Sequence, residues 1–99
     1  MPKKSSKAQC AADCVALEQL PNVGPAMAAD LRLLGVAHPR DLASHDAFAL
    51  YRALCEKTGQ RHDPCVLDTF LAITDFMRGG PPQPWWRYTA QRKQLHGNV

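Results

Sequence analysis

The sequence predicts an all-α fold class: one domain of five helices. Two observations indicate this. Prolines and capping residues stand where helices would begin, and glycines stand where they would end, along most of the chain. No segment shows the alternating pattern of a strand. The 99 residues suffice for one small domain. We assign residues 8–93 to it and expect residues 1–7 to be a basic disordered tail and residues 94–99 a second disordered tail.

The first two predicted helices are separated by a short turn. Cys10, Cys14 and Leu17 recur at helical spacing, which predicts a helix over about residues 8–20. The second helix is expected over residues 25–34, because a proline opens it and a glycine follows it.

Three further helices follow from capping signals. Residues 38–42 indicate a short helix with proline at its first position. Asp46 is expected to cap a helix over residues 46–57. Asp63, followed by proline, is the clearest start signal and predicts a helix that extends to residue 77. Three residues form the stripe of this helix that we expect to face solvent: Asp68, Ala72 and Asp75.

A proline-rich linker over residues 79–84 leads to a C-terminal aromatic-basic segment. Its aromatic residues are Trp85, Trp86 and Tyr88, and its basic residues are Arg87, Arg92 and Lys93. We expect the aromatic side chains to fold back onto the core, which leaves the basic ones free to meet nucleic acid. The alternative is that the aromatic side chains stack on bases.

The net charge of +3 is unevenly distributed. The six lysines and arginines at residues 3–7 and 87–93 have no acid beside them, whereas residues 8–83 carry a net charge of −3. A mildly acidic domain is not a strong DNA-binding surface. Any affinity for nucleic acid is therefore expected to depend on the tails and on backbone geometry.

The turn between the first two helices reads Pro-Asn-Val-Gly-Pro over residues 21–25. The turn needs a positive φ at residue 22, and asparagine tolerates a positive φ better than most residues do. Val23 is expected to point inward, and Gly24 to let another molecule approach the backbone. We expect a β-branched residue at position 24 to strain the turn. Ala28 is small, as a close crossing of two helices requires.

This pattern resembles the helix-hairpin-helix motif, which holds DNA without reading its sequence. The resemblance implies that amides at the turn bind a phosphate of the backbone. The sequence departs from the motif at Asn22, where glycine is commoner, and at Ala26 and Met27, where a basic residue often stands. The alternative is a plain helical corner that only packs the core.

The resemblance extends over about residues 15–93. Three segments together resemble a family of small bacterial proteins: the turn, "TGQRHDPCVLDTF" from residue 58, and "PWWRYTAQRK" from residue 84. This is the pathogenicity-locus family, whose members are often labelled mitomycin resistance proteins. The resemblance implies an all-helical, SAM-like fold built on a helix-hairpin-helix. A shared fold does not by itself imply a function.

The four cysteines do not have the spacing of a zinc knuckle, so we expect neither a metal nor a cofactor. Cys10, Cys14, Cys55 and Cys65, with His62, are the residues that would bind a metal if they met in space. A reactive Cys65 is a second hypothesis, because a helix N-terminus and a nearby histidine lower a thiol pKa.

We therefore predict weak, sequence-independent DNA binding. The alternative is a protein-protein interaction module with the same fold. No catalytic constellation is recognisable, so an enzyme is not expected, and neither is a membrane span. A cytoplasmic location is expected. The predicted nucleic-acid-binding residues are Asn22, Val23, Gly24, Ala26, Arg87, Arg92 and Lys93.

Overall fold

The computed structural model of the protein describes residues 7–97. Four α-helices are present: α1 (Pro25–Leu33), α2 (Ala47–Thr58), α3 (Pro64–Met77) and α4 (Thr89–His96). Four short 3₁₀ helices lie between and before them: Ala11–Asp13, Leu17–Gln19, Pro39–Ser44 and Trp85–Tyr88. No strand occurs in this described part of the chain, and the predicted all-α fold class is confirmed.

Helix α3 is the centre of the fold, since nine of its fourteen residues are buried. It packs against α2, α4 and the two 3₁₀ helices at residues 39–44 and 85–88. The predicted start signal is confirmed: the Asp63 carboxylate accepts a hydrogen bond of 2.9 Å from the Cys65 amide, and Pro64 occupies the first position. The helix ends before Gly79, whose φ is +105°.

Helix α2 also begins and ends where capping chemistry predicts. The Asp46 carboxylate accepts a hydrogen bond of 2.9 Å from the Ala49 amide, and Gly59 ends the helix in the left-handed conformation. At the far end of the chain, the His96 ring stacks on Phe48 of α2 with a centroid distance of 4.2 Å. Helix α4 is thereby attached to α2 as well as to α3.

The helix predicted over residues 8–20 is not formed. Two 3₁₀ turns replace it, because tertiary and side-chain bonds take over the backbone groups that a helix would pair. The Gln19 side chain accepts hydrogen bonds from the amides of Val15 and Ala16, each at 2.9 Å. The Ala8 amide donates to the carbonyl of Gln19 at 2.8 Å, so the chain folds back on itself.

The stripe of α3 that was predicted to face solvent is mostly covered. Asp68 is fully buried and Ala72 is 4 % exposed, whereas Asp75 is exposed, as predicted. The Asp68 carboxylate accepts hydrogen bonds from Arg92 and Thr89, so α4 covers this side of α3. The prediction was wrong for Asp68 and Ala72 because the C-terminal segment packs on a polar surface.

The boundaries of the folded part differ from those predicted at both ends. Helix α4 continues to His96, so residues 94–96 of the predicted tail are helical. Lys7, assigned to the N-terminal tail, contacts the rest of the chain through its side chain. The remainder of the predicted tails, residues 1–6 and 98–99, lies outside the described residues.

Candidate nucleic-acid interface

The turn that precedes α1 has the backbone conformation that its sequence predicts. Asn22 has a φ of +71° and, within residues 7–97, is the one residue other than glycine with a positive φ. Asparagine tolerates this left-handed conformation because its short side chain can form local hydrogen bonds. Val23 is 1 % exposed and points into the core, as predicted.

The two sides of the turn pack closely. Leu20, Ala28 and Leu31 have no exposed surface. The 3₁₀ helix Leu17–Gln19 packs against α1, so the first side of the turn is a single 3₁₀ turn rather than a full helix. This packing fixes the path by which the backbone enters α1, and it thereby fixes the orientation of the first amides of that helix.

Backbone amides at the start of α1 have no partner in the described part of the chain. The Ala28 amide donates to the carbonyl of Gly24 at 3.0 Å and closes the first helical bond. The amides of Gly24 and Ala26 precede this bond and donate to no described group. Val23 differs, because its amide donates to the Leu20 carbonyl at 3.2 Å. We therefore remove Val23 from the predicted amide donors.

Gly24 is not required by backbone strain. Its φ of −100° and ψ of −172° are extended values that any residue adopts. A Cβ atom added there would meet nothing within 4 Å. The expectation that a β-branched residue strains the turn is therefore wrong. What glycine leaves open is the space in front of the exposed amides.

Lys7 supplies a cation at the turn that the sequence did not indicate. Its ammonium donates hydrogen bonds to the carbonyls of Glu18, at 2.9 Å, and Val23. Partial burial lowers the pKa of this ammonium, and the nearby Cys14 and Glu18 side chains act in the opposite direction. The contact joins residues 16 positions apart, and no local pattern could have revealed it.

The Asn22 side chain joins the turn to the C-terminal segment. Its amide nitrogen donates to the carbonyl of Gln83 at 2.8 Å, and its oxygen accepts from the amide of Trp85 at 3.2 Å. Asn22 thus has two structural roles: its backbone makes the turn and its side chain binds a segment more than sixty positions away. The two regions predicted to bind nucleic acid are neighbours in the structure.

The aromatic residues of the C-terminal segment do not all pack on the core. Tyr88 is buried, and its hydroxyl donates to the Asp75 carboxylate at 2.7 Å. Trp85 is 38 % exposed and Trp86 is 57 % exposed. The prediction of core capping is correct for Tyr88 and wrong for the exposed tryptophans. The Arg87 guanidinium lies 5.4 Å from the centroid of the Trp86 ring, in cation–π contact.

Arg92 is not available to a phosphate. It is 6 % exposed and forms an ion pair of 2.8 Å with the buried carboxylate of Asp68. The hydrogen bond that Arg92 donates to Asp68 raises the pKa of Arg92, because it stabilises the charged form. We therefore remove Arg92 from the predicted binding residues. Lys93 and Arg87 are exposed.

Comparison with known proteins identifies the relatives of this chain. The family model described as Pathogenicity locus matches residues 10–94. The chain belongs to the pathogenicity-locus family. It is also 39 % identical over 79 residues to the mitomycin resistance protein McrB of Streptomyces lavendulae, which covers 80 % of this chain and 75 % of the relative. No solved structure gives a significant match.

The cysteines of this pathogenicity-locus protein do not form an evident reactive or metal-binding site. Within residues 7–97, no group of three or more His, Cys, Asp or Glu side chains is placed to hold a metal ion. Burial and the neighbouring Asp63 raise the pKa of Cys65, which contradicts the hypothesis of an activated thiol. Burial likewise raises the pKa of Cys14 to about 11. In the same part of the chain, no helix is long and apolar enough to cross a bilayer.

Proposed function

We propose that this member of the pathogenicity-locus family binds nucleic acid weakly and without sequence preference, and that residues 17–34 act as a helix-hairpin-helix. The observation that carries the proposal is that Gly24 and Ala26, at the start of α1, are exposed and that their amides have no partner in the described part of the chain. Such amides, with the positive end of the helix dipole, favour an anionic ligand. A phosphodiester is the anion that a sequence-independent site of this kind would accept.

The charge near the turn supports the proposal. Lys7 brings a cation to the turn, where Ala26 and Met27 provide none. Arg87 belongs to the segment bound by Asn22, and neither residues 19–29 nor residues 76–97 contain an acid. Two acids nevertheless lie close to this surface: Glu18 beside Lys7, and Asp75, which accepts a hydrogen bond from Tyr88. With so few cations, we expect weak binding.

The test is a salt titration of binding to a fluorescein-labelled duplex by fluorescence anisotropy. Each phosphate neutralised on duplex DNA contributes about 0.9 to the slope of log K against log salt. We expect the variant Arg87→Gln/Lys93→Gln to flatten the slope by at most about 2. The matched control Arg40→Gln/Lys57→Gln removes the same charge from exposed positions on other elements and should change the slope less.

Two results would contradict the proposal. The first is that the wild-type protein binds no duplex, single strand or junction at low salt; the surface would then fit a protein partner, the alternative function. The second is that both double variants flatten the slope equally, because the charge of the C-terminal segment would then have no special role. An activity as an enzyme forms no part of the proposal.

The name of the Streptomyces lavendulae relative motivates a measurement in cells. If this chain shares a role in mitomycin resistance, deletion of its gene should lower survival in the drug, and the wild-type protein should restore it. Complementation by Gly24→Val tests whether that role depends on the exposed amides, since this variant should fold normally. Full restoration by Gly24→Val would separate resistance from the proposed binding surface.

A further inference from the structure

The proposed function leaves unexplained the two large aromatic side chains that lie exposed beside the turn. We propose that Trp86, with the Arg87 guanidinium against its ring, is a stacking platform for an unpaired base. The preferred ligand is then a nucleic acid with unpaired nucleotides rather than an uninterrupted duplex. This inference rests on the proposed function and names the substrate class of the same surface.

The exposure of Trp86 is the first supporting observation. More than half of this side chain, 57 %, is in contact with solvent, although folding tends to remove such a large apolar surface from water. Trp85, the preceding residue of the same 3₁₀ helix, is 38 % exposed. Tryptophan is a residue type enriched at binding interfaces, where its large ring supplies much of the contact area.

The second observation is that the backbone under the platform is fixed from both sides. On one side the Trp85 amide donates to the Asn22 side chain. On the other, the Tyr88 hydroxyl donates to Asp75 at 2.7 Å, and the Arg87 amide donates to the carbonyl of Pro84 at 3.0 Å. An aromatic side chain on a preorganised backbone loses less entropy when a ligand binds.

The charge of Arg87 favours an anionic ligand, such as a nucleic acid, over a neutral one. Arg87 can contact the phosphate of a nucleotide whose base stacks on Trp86. The acid nearest to Arg87 in the sequence is Asp75, whose carboxylate is hydrogen-bonded to the Tyr88 hydroxyl. Base stacking on an aromatic ring is tolerant of sequence, because every base has a π face. Bases inside a duplex are already stacked on each other, so an unpaired base is the one that is free to stack on the platform.

The separation of the platform and the turn sets the length of the probe. The backbone path from Gly24 through the Asn22 side chain to Trp86 spans at most on the order of 20 Å. At a rise of 3.4 Å per step, this corresponds to about six nucleotides. If the turn holds a duplex, a single strand that extends from that duplex can therefore reach Trp86 within about six unpaired nucleotides.

The experiment compares a blunt duplex with the same duplex carrying a thymine overhang of about six nucleotides, by anisotropy at low salt. Stacking of one base predicts that wild type prefers the overhang by between about 5-fold and 150-fold. Trp86→Ala should abolish this preference, whereas Trp86→Tyr should retain part of it. Leu95→Ala is the matched control, because Leu95 is a 62 % exposed apolar side chain on α4.

Each outcome is informative. Equal binding of both probes by wild type overturns the platform and leaves the proposed function standing. Absence of binding to either probe overturns both. If the preference survives in Trp86→Ala, or is lost to the same extent in Leu95→Ala, the ring is not a stacking site. In either case the exposed Trp85 and Trp86 side chains would fit a contact with a protein partner instead.

Intrinsic fluorescence gives a second readout on the protein itself. Trp85 and Trp86 are the two tryptophans of the chain, so Trp85→Phe leaves Trp86 as the single emitting tryptophan. Stacking predicts saturable quenching of this emission by the overhang probe, with the same midpoint as the anisotropy change. Binding without quenching would overturn the platform.

Discussion

Asn22 provides the sharpest test of how the candidate surface is built. Replacement by alanine removes both side-chain hydrogen bonds, to Gln83 and from Trp85, and leaves an ordinary side chain at a φ of +71°. Replacement by glycine removes the same bonds, but glycine adopts a positive φ without a steric cost. The two variants therefore differ chiefly in the cost of the backbone conformation.

The expected magnitudes follow from these two contributions. Each hydrogen bond contributes about 0.5 to 1.5 kcal/mol, so Asn22→Gly should lower the free energy of unfolding by about 1 to 3 kcal/mol. Asn22→Ala adds the left-handed cost of about 1 to 2 kcal/mol. Because Asn22 is half-buried, we expect the hydrogen-bond contribution to lie in the lower part of its range.

Urea unfolding of wild type and the two variants measures these free energies, and tryptophan emission reports whether the C-terminal segment leaves the turn. A useful third variant is Asn22→Asp, which keeps an acceptor for the Trp85 amide but places a second oxygen against the carbonyl of Gln83. If Asn22→Ala unfolds within about 0.5 kcal/mol of wild type, the turn and the C-terminal segment are not held together as described.

Three further predictions concern other positions. Gly24→Val should change the free energy of unfolding by less than about 0.5 kcal/mol, because the backbone at residue 24 is extended and the space around it is open. The same variant should bind duplex DNA more weakly, as measured by fluorescence anisotropy. A large loss of stability would contradict this prediction. Arg92→Leu should lower the free energy of unfolding in urea by about 3 to 5 kcal/mol, because Asp68 remains buried without its partner. The double variant Arg92→Leu/Asp68→Leu should recover part of this loss. No recovery would argue against the ion pair as the cause. Burial, followed by the hydrogen bond to Asp75, raises the pKa of Tyr88 from 10 to about 12. Its contribution to stability, about 3 kcal/mol, should be present below pH 10 and disappear as the pH rises through 12. Tyr88→Phe should lack this part of the pH dependence, and an unchanged profile would contradict the assignment.

The elements that the sequence predicted well are those determined by adjacent residues. Asp46 and Asp63 cap their helices through amides two or three positions away, and Asn22 adopts the positive φ that its own side chain tolerates. Burial of Val23 likewise follows from the turn itself. Such features depend on short-range sterics and hydrogen bonds, which a sequence displays directly.

The features that were missed depend on contacts between distant parts of the chain. Asp68 was placed on the solvent side because its helix had polar residues there, but Arg92 lies 24 positions later and covers it. Lys7 counted as a free tail cation until its carbonyl partners were known. For both residues, hydrophobic periodicity was uninformative, because polar groups hold these surfaces together.

The bond between Asn22 and Gln83 also constrains when the candidate surface can exist during synthesis. The two residues are separated by 61 positions, so the turn emerges from the ribosome well before its partner has been made. Early in translation the nascent chain has a turn without its platform, and α3 still exposes the buried carboxylate of Asp68. Contacts of such long sequence separation form late, because the loop between them must be closed first. The complete surface therefore forms only after residues 83–92 have been synthesised, and loss of this segment would affect binding and stability together.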